Sequence, residues 1–376
     1  MNILVAMDSF KGSLSSVEAG NAVRAGIRSV DPQADVLICP LADGGEGTVS
    51  ALCCEEQDRL IVIAATGPLG EPISCRYGIL ENGTAVIEVA SVAGLTLIPE
   101  DKRNPLYSTT YGMGELIRDA VNRGCREFII GLGGSGTNDG GVGMLQALGW
   151  RFLNADGEDI LPGAQGLREL ESIDGSNALP ELKQCRFRVA CDVTNPLLGT
   201  QGCSAVFGPQ KGADSDSVVE MDRWLGNYSA VTRKYFPTAD PNVPGCGAAG
   251  GLGFAFSVFL GGILEPGAGI VADAHAIEDK IRTADLIITG EGALDGQSSM
   301  GKGPIHIARI GKKYGKPVVA LAGTLGEGAE KSVLEGVTAY FSILSCPMTL
   351  AEAMKPDVAY FNLKRAAEQI IRLYDI

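Results

Sequence analysis

EFIIGLGGSGTNDGGVGMLQALG, residues 127–149, runs an apolar stretch of strand length into a loop of glycines and then into helical spacing. Glu127 to Leu132 has the length and bulk of a buried strand, and Val142, Leu145, Gln146 and Leu148 begin a helix-like period. Between them stand Gly131, Gly133, Gly134, Gly136, Gly140 and Gly141. Each glycine costs about 0.5–1 kcal/mol of chain entropy in a regular element, so such a run marks a loop that needs left-handed backbone or close approach to another group. The stretch therefore predicts a strand–loop–helix unit of an open α/β sheet, with a phosphate above the helix N-terminus and Gly133, Gly134 and Ser135 as its binding residues.

Gly131, Gly133 and Gly136 also match G-x-G-x-x-G, and Asp156 follows at about the 20-residue spacing at which a dinucleotide-binding unit carries its ribose-binding acid. On those residues a nicotinamide-dependent oxidoreductase of small hydroxyacids is one reading. Against it, Asn138 and Asp139 follow the third glycine and bring a carboxylate where a pyrophosphate needs amides. Asp156 sits in Asn154-Ala155-Asp156-Gly157-Glu158, a turn pattern and not the end of a second parallel strand. A phosphate loop with a metal or hydroxyl beside Asp139 fits better.

The bulk numbers narrow the classes. A chain of 376 residues suits two domains, and its 51 glycines, about twice ordinary usage, follow no tripeptide period. A net charge of -14 argues against nucleic-acid and anionic-membrane partners. It leaves room for an anionic substrate, because local lysines, helix ends and a divalent cation override the global sign. The 10 cysteines show no CxxC spacing, which predicts reduced thiols and a cytoplasmic protein, and 2 histidines are too few for a histidine-rich zinc site. No basic region precedes the first apolar run, which meets Asp8 at once, so no signal peptide is expected. The uncharged span 243–264 is long enough for a bilayer, but its glycines and its flanks Asp240 and Glu265 predict a buried loop and helix.

Working toward the N-terminus, Ile3 to Met7 reads as a strand, and Ser15 with Glu18 forms a capping box for the helix that follows. The loop between them carries Asp8, Ser9 and Lys11, at the place where open α/β sheets bind ligands; Asp8 and Lys11 are either site groups or a solvated pair. A second strand, Val36 to Cys39, leads to Asp43 and Glu46 among three glycines, which suits a metal or a polyol hydroxyl, or a plain turn with an acidic cap. From Leu60 short β runs take over, with Asn82-Gly83 as a hairpin turn. A helix is predicted over 112–123.

Toward the C-terminus, strand 186–190 delivers Asp192 to a turn, a good place for a base or metal ligand. Lys211 precedes a long amphipathic helix and either holds an anion at its N-terminus or is a solvated loop lysine. From Asp285 strands and helices alternate: strands at 285–289, 318–323 and 340–344, helices at 303–314, 329–335 and from Tyr360. The stretch 290–303 carries Gly290, Glu291, Gly292, Asp295 and Lys302. Gly296 to Lys302 matches G-x-x-x-x-G-K, yet Gly303 stands where a P-loop needs Ser or Thr, so a Walker motif is rejected while glycines and Lys302 still suit phosphate. Glu291 and Asp295 are either metal ligands or loop acids. Because the first two strands are of the same type as the last three, the sequence predicts one parallel sheet from both chain ends, residues 1–61 and 286–376, with 62–285 as an inserted mixed-sheet α+β domain.

DSFKGS (8–13), PLADGGEGT (40–48), ATGPLGEP (65–72), GLGGSGTNDGG (131–141), CDVTNPLLG (191–199), FGPQKGA (207–213), GAAGGLG (247–253), and ITGEGALDGQS with GKGP (288–304) together resemble the bacterial glycerate kinases that form 2-phosphoglycerate. The resemblance runs in order through essentially the whole chain. It implies a flavodoxin-like three-layer α/β domain built from both chain ends, an inserted domain, and phosphorylation of D-glycerate by ATP with magnesium in the cleft between domains. Gly136, Cys203, Cys246 and Met7 depart conservatively from the family pattern. Ala293 stands where arginine is common, and that loss bears on substrate or phosphate binding.

In-line phosphoryl transfer is mostly positioning and charge neutralisation, which accounts for amide-rich loops, lysines and carboxylates without a histidine. Asp192 is the expected base, with Glu291 and Asp295 near Mg2+. Lys11 and Lys302 offset phosphate or carboxylate charge, and Asp8, Ser9, Asp43, Glu46, Asn138 and Asp139 meet substrate. Gly290, Gly292 and Lys211 join the phosphate-binding loop residues. The expected partners are D-glycerate, ATP and a second copy as a homodimer. A non-catalytic sensor of a phosphorylated metabolite is the other alternative, and it leaves the many paired carboxylates without a use.

Overall fold

The computed structural model describes residues 1–53, 59–296 and 303–374. The strands, in chain order, are β1 (Asn2–Met7), β2 (Asp35–Ile38), β3 (Leu60–Thr66), β4 (Pro72–Ile79), β5 (Ala85–Glu88), β6 (Glu127–Gly131), β7 (Arg151–Leu153), β8 (Ser172–Asp174), β9 (Arg186–Ala190), β10 (Ile263–Glu265), β11 (Leu286–Leu294), β12 (Val318–Leu325) and β13 (Ala339–Ser342). Among the described residues the chain forms two compact units, one of Met1–Asp43, Ser50–Cys54 and Ala268–Ile376, the other of Gly44–Val49 and Glu55–Gly267.

The first unit is a parallel sheet ordered β13-β12-β11-β1-β2. Counted along the chain within this unit, the order from β2 outward is 2-1-3-4-5, the flavodoxin-like arrangement. The side-chain period of two builds three layers from it. On one face Ile3, Val5 and Met7 pack with Ala19, Val23 and Ile27 of helix Ser16–Val30 and with Leu363 and Ile371 of helix Pro356–Tyr374. On the other, Leu4 and Ala6 pack with Ile277 and Ile281 of helix Ile277–Thr283 and with Ile305 and Ala308 of helix Gly303–Lys313. The Ser15–Glu18 capping box forms as its spacing predicts.

The second unit holds a six-stranded mixed sheet, β10-β9-β6-β5-β4-β3. The β3–β4 and β4–β5 pairs are antiparallel and β5–β6, β6–β9 and β9–β10 are parallel. Its core contains Tyr77, Phe128, Phe187, Phe254 and Phe256, covered in part by the buried face of helix Tyr111–Asn122. The units divide at different places from those the sequence suggests. From Ala268 on, helices Gly267–Ala274 and Ile277–Thr283 supply Ala272, Ile277 and Ile281 to the first core, while Gly44–Val49 goes with the second unit. Both boundaries, in residues 43–47 and 265–269, are rich in chain breakers, but equally glycine-rich loops lie inside the units, so composition does not single them out. Among the described residues no helix is long and apolar enough to cross a membrane; span 243–264 instead contains helix Ala248–Phe259.

Candidate active site

In the first unit the sheet changes direction of winding between β1 and β11, the position at which open α/β sheets take ligands. There the Asp8 N–H donates to the Gly290 carbonyl at 2.8 Å, and Asp8 Oδ1 accepts the Ser9 N–H at 2.6 Å. A Cβ on Gly303 would sit 3.4 Å from Asp8 Oδ2, so this carboxylate lies beside the first residue of helix Gly303–Lys313. A Cβ on Gly292 would meet Phe10 Cα at 3.6 Å, which places the Phe10–Lys11 loop against β11. Lys11 Nζ is 3.8 Å from Asp43 Oδ2, with side chains 86% and 37% exposed, a solvated pair of little energetic weight. Thus Asp8, Ser9, Lys11, Gly290 and Gly292 come together, with Asp43 reached through Lys11.

Glu291 is buried on β11, and Asp295, half-buried, follows the end of that strand. The Asp295 turn is held by Gly296 N–H to Glu327 O at 3.0 Å and Gly326 N–H to Leu294 O at 2.8 Å. No group of three or more His, Cys, Asp or Glu with metal-binding geometry exists among the described residues. Glu291 lies within β11 and Asp295 just after it, four residues on; magnesium needs only one or two protein carboxylates and fills its shell with water and nucleotide phosphates, so either carboxylate suits it. Lys302 lies outside the described residues.

In the second unit the parallel strands β5, β6 and β9 bring their carboxyl ends together, and the segment Gly44–Val49 lies across them. Gly44 has φ +82°, and a Cβ there would be 2.3 Å from Ala190 Cβ. Its carbonyl accepts the Gly133 N–H at 3.2 Å. At the end of β5 the buried Glu88 carboxylate accepts the Val49 N–H. Burial pushes Glu88 up in pKa, the Val49 and Gly47 N–H groups pull it down, and exposed Glu46 pushes it further up. Glu88 escaped the sequence reading; its signal was a charged residue closing the apolar run Ala85–Ile87.

The glycine loop departs from expectation. Asp139 is only 1% exposed and accepts Thr110 N–H at 2.9 Å, Thr110 O–H at 2.8 Å, Gly141 N–H at 3.0 Å and Gly143 N–H at 3.3 Å. Burial drives its pKa up against those donors. The carboxylate thus occupies the N-terminus of the short helix Val142–Ala147, where the sequence predicts a phosphate, and organises the turn. Asn138 is likewise fully buried, its Nδ2 donating to Ser204 Oγ at 2.8 Å.

Lys211 is also reassigned. It is 2% exposed, and its Nζ donates to Ser135 Oγ at 3.0 Å and Thr137 O at 2.6 Å, so it neither holds an anion ahead of helix Ser215–Tyr235 nor sits in solvent. Burial lowers its pKa to about 8, against the raising influence of Cys203 and Asp139. What the loop leaves accessible is Gly133, half-buried, and Gly134, exposed. Gly134 has φ +78°, the left-handed backbone that glycine adopts without steric cost.

Asp192 is exposed at the end of β9, with Oδ1 accepting the Gly267 N–H at 2.9 Å. Asp156 lies in an exposed turn closed by Asn154 N–H to Glu158 O at 2.9 Å and next to the antiparallel β7–β8 pair. The dinucleotide reading loses its ribose ligand there.

Both units carry glycine-rich, carboxylate-bearing loops at the carboxyl ends of parallel strands, which defines a class of α/β proteins that bind small polar ligands at those ends. The family model described as Glycerate kinase family matches residues 3–375, and the chain belongs to that family. It is 46% identical to the Glycerate 2-kinase of Escherichia coli (strain K12) over 98% of this chain and 97% of that protein. It is 44% identical to the Glycerate kinase of Bacillus subtilis (strain 168), with coverage of 98% and 97%. The crystal structure of a candidate glycerate kinase 2 from Salmonella typhimurium LT2 superposes with a TM-score of 0.90 at 43% identity, covering 100% of this chain and 98% of that one.

Proposed function

We propose that this chain transfers the γ-phosphoryl group of ATP to the 2-hydroxyl of D-glycerate, releasing ADP and 2-phosphoglycerate. The observation that carries the reading is family membership over residues 3–375. Asp192 takes the hydroxyl proton as the new O–P bond forms and the bond from the γ-phosphorus to the bridging oxygen breaks, and ADP leaves with that oxygen. Gly133, Gly134, Ser135, Gly290 and Gly292 offer backbone to phosphate groups. Lys11 offsets anionic charge, and Asp8, Ser9, Asp43 and Glu46 receive hydroxyls. Glu291 and Asp295 would hold magnesium, which would supply neutralisation of charge on the phosphate oxygens.

The described cysteines are free thiols, which supports a cytoplasmic location. A homodimer is part of the reading, and light scattering tests it. The deciding experiment measures ADP release from purified protein with ATP, magnesium and D-glycerate, followed by proton-coupled phosphorus NMR. A doublet from the product places the phosphate on the carbon bearing one hydrogen, position 2; a triplet places it on position 3 and overturns the regiochemistry. Absence of glycerate-dependent ADP overturns the reaction.

A further inference from the structure

Lys211 ends the turn Pro209–Lys211, and its whole side chain is inside the second unit. Desolvating an ammonium costs several kcal/mol unless its donors are satisfied, so a lysine in this place calls for a reason. Its two acceptors, Ser135 Oγ and Thr137 O, flank Gly136 in the glycine loop. The opposite side of that loop is fastened by Leu95 N–H to Gly134 O and Gly136 N–H to Ala93 O, both 2.8 Å, and by Ser108 O–H to Gly136 O at 2.9 Å. On the Lys211 side, Thr137 Oγ1 and Asn138 Oδ1 are buried with no hydrogen-bond partner among the described residues. Without the ammonium, Ser135 Oγ and Thr137 O lose this donor, and that edge of the loop loses its tie to the turn Pro209–Lys211.

We propose that Lys211 is a positioning residue, whose ammonium acts through Ser135 and Thr137 to hold the Gly134 and Ser135 amides in the arrangement that receives a phosphate group of the nucleotide, without touching that ligand. The proposal rests on the kinase reading above. The side chain is 2% exposed and its ammonium is directed to Ser135 Oγ and Thr137 O, which argues against a direct phosphate contact. The buried cation also balances Asp139, which anchors the far end of the same loop.

The test uses Lys211→Met, which keeps length and volume but removes the charge, with Ser135→Ala as the second variant. ADP affinity is read by calorimetry in the presence of magnesium, alongside KM and kcat and thermal unfolding. For folded Lys211→Met, the ADP dissociation constant and the KM for ATP rise about tenfold to a hundredfold, the range for losing hydrogen bonds from a charged donor, while kcat and the KM for glycerate stay within about threefold. Ser135→Ala raises the same two constants less, and adds nothing when combined with Lys211→Met. Unchanged ADP affinity in folded Lys211→Met overturns the proposal, as does a loss of kcat with ADP affinity intact, which would put the ammonium in the chemistry. If Lys211→Met does not fold, Ser135→Ala decides: unchanged ADP affinity in that variant overturns the proposal. A wild-type protein that binds ADP but shows no glycerate-dependent turnover refutes the reaction and leaves the calorimetric arm standing; one that does not bind ADP refutes the proposal itself.

Discussion

Asp192 Oδ1 accepts the backbone N–H of Gly267 at 2.9 Å, which fixes the orientation of the carboxylate at the end of β9. Asparagine in its place keeps an oxygen for that bond but cannot take a proton. Asp192→Asn therefore retains the wild-type melting temperature and lowers kcat by about 10²–10⁴, the usual contribution of a general base. Near-normal turnover would reduce Asp192 to a turn cap and pass the role of base to Asp295.

Glu88 makes a separate prediction, because its buried carboxylate holds the segment Gly44–Val49 from the end of β5. Alanine leaves the Val49 N–H buried without its acceptor, at a cost of about 1–3 kcal/mol. Glu88→Gln keeps an acceptor and loses less. Urea unfolding of the two variants measures the difference, and equal losses would show that charge, not the hydrogen bond, matters.

The extent to which the sequence disclosed this protein follows physical range. Strand and helix identity rests on local period, so β1, β6, β9 and β12 fall within a few residues of where Ile3–Met7, Glu127–Leu132, Arg186–Ala190 and 318–323 place them. The single sheet from both chain ends was legible because the first and last strands share one texture. Burial of polar side chains is set by distant partners and was not legible. Asp139 and Lys211 look like ligand-binding groups in sequence, and only the packing of Thr110, Ser135 and Thr137 around them reveals that they hold the loop from within.

Two glycines should respond oppositely to alanine. A Cβ on Gly133 would lie 2.5 Å from Gly45 Cα, a clash with backbone that no rotamer relieves. Gly133→Ala therefore costs about 1–3 kcal/mol, as overpacking does, and raises the KM for ATP. Gly226, in helix Ser215–Tyr235, has nothing within 4 Å of a built Cβ. Gly226→Ala gains about 0.5–1 kcal/mol from helix entropy with unchanged kinetics. Chemical denaturation and steady-state rates check both, and a destabilised Gly226→Ala would contradict the open environment.

His275 predicts a pH effect unrelated to catalysis. Burial, assisted by Lys280, lowers its imidazole from 6.5 to about 4, against a weaker raising influence of the Pro40 and Ala51 backbone. The unfolded chain then binds a proton that the native state refuses, so the contribution of His275 to stability is complete above pH 6.5 and is lost as pH falls toward 4. At roughly 1.4 kcal/mol per pH unit, the loss reaches up to about 3 kcal/mol. With only 2 histidines in the chain, its ring proton is readily assigned by NMR. The expected midpoint is near 4, and His275→Gln should flatten the stability profile between pH 6.5 and 4 relative to wild type. A midpoint near 6.5 would mean that water reaches the ring and that the acid sensitivity of this unit comes from its carboxylates instead.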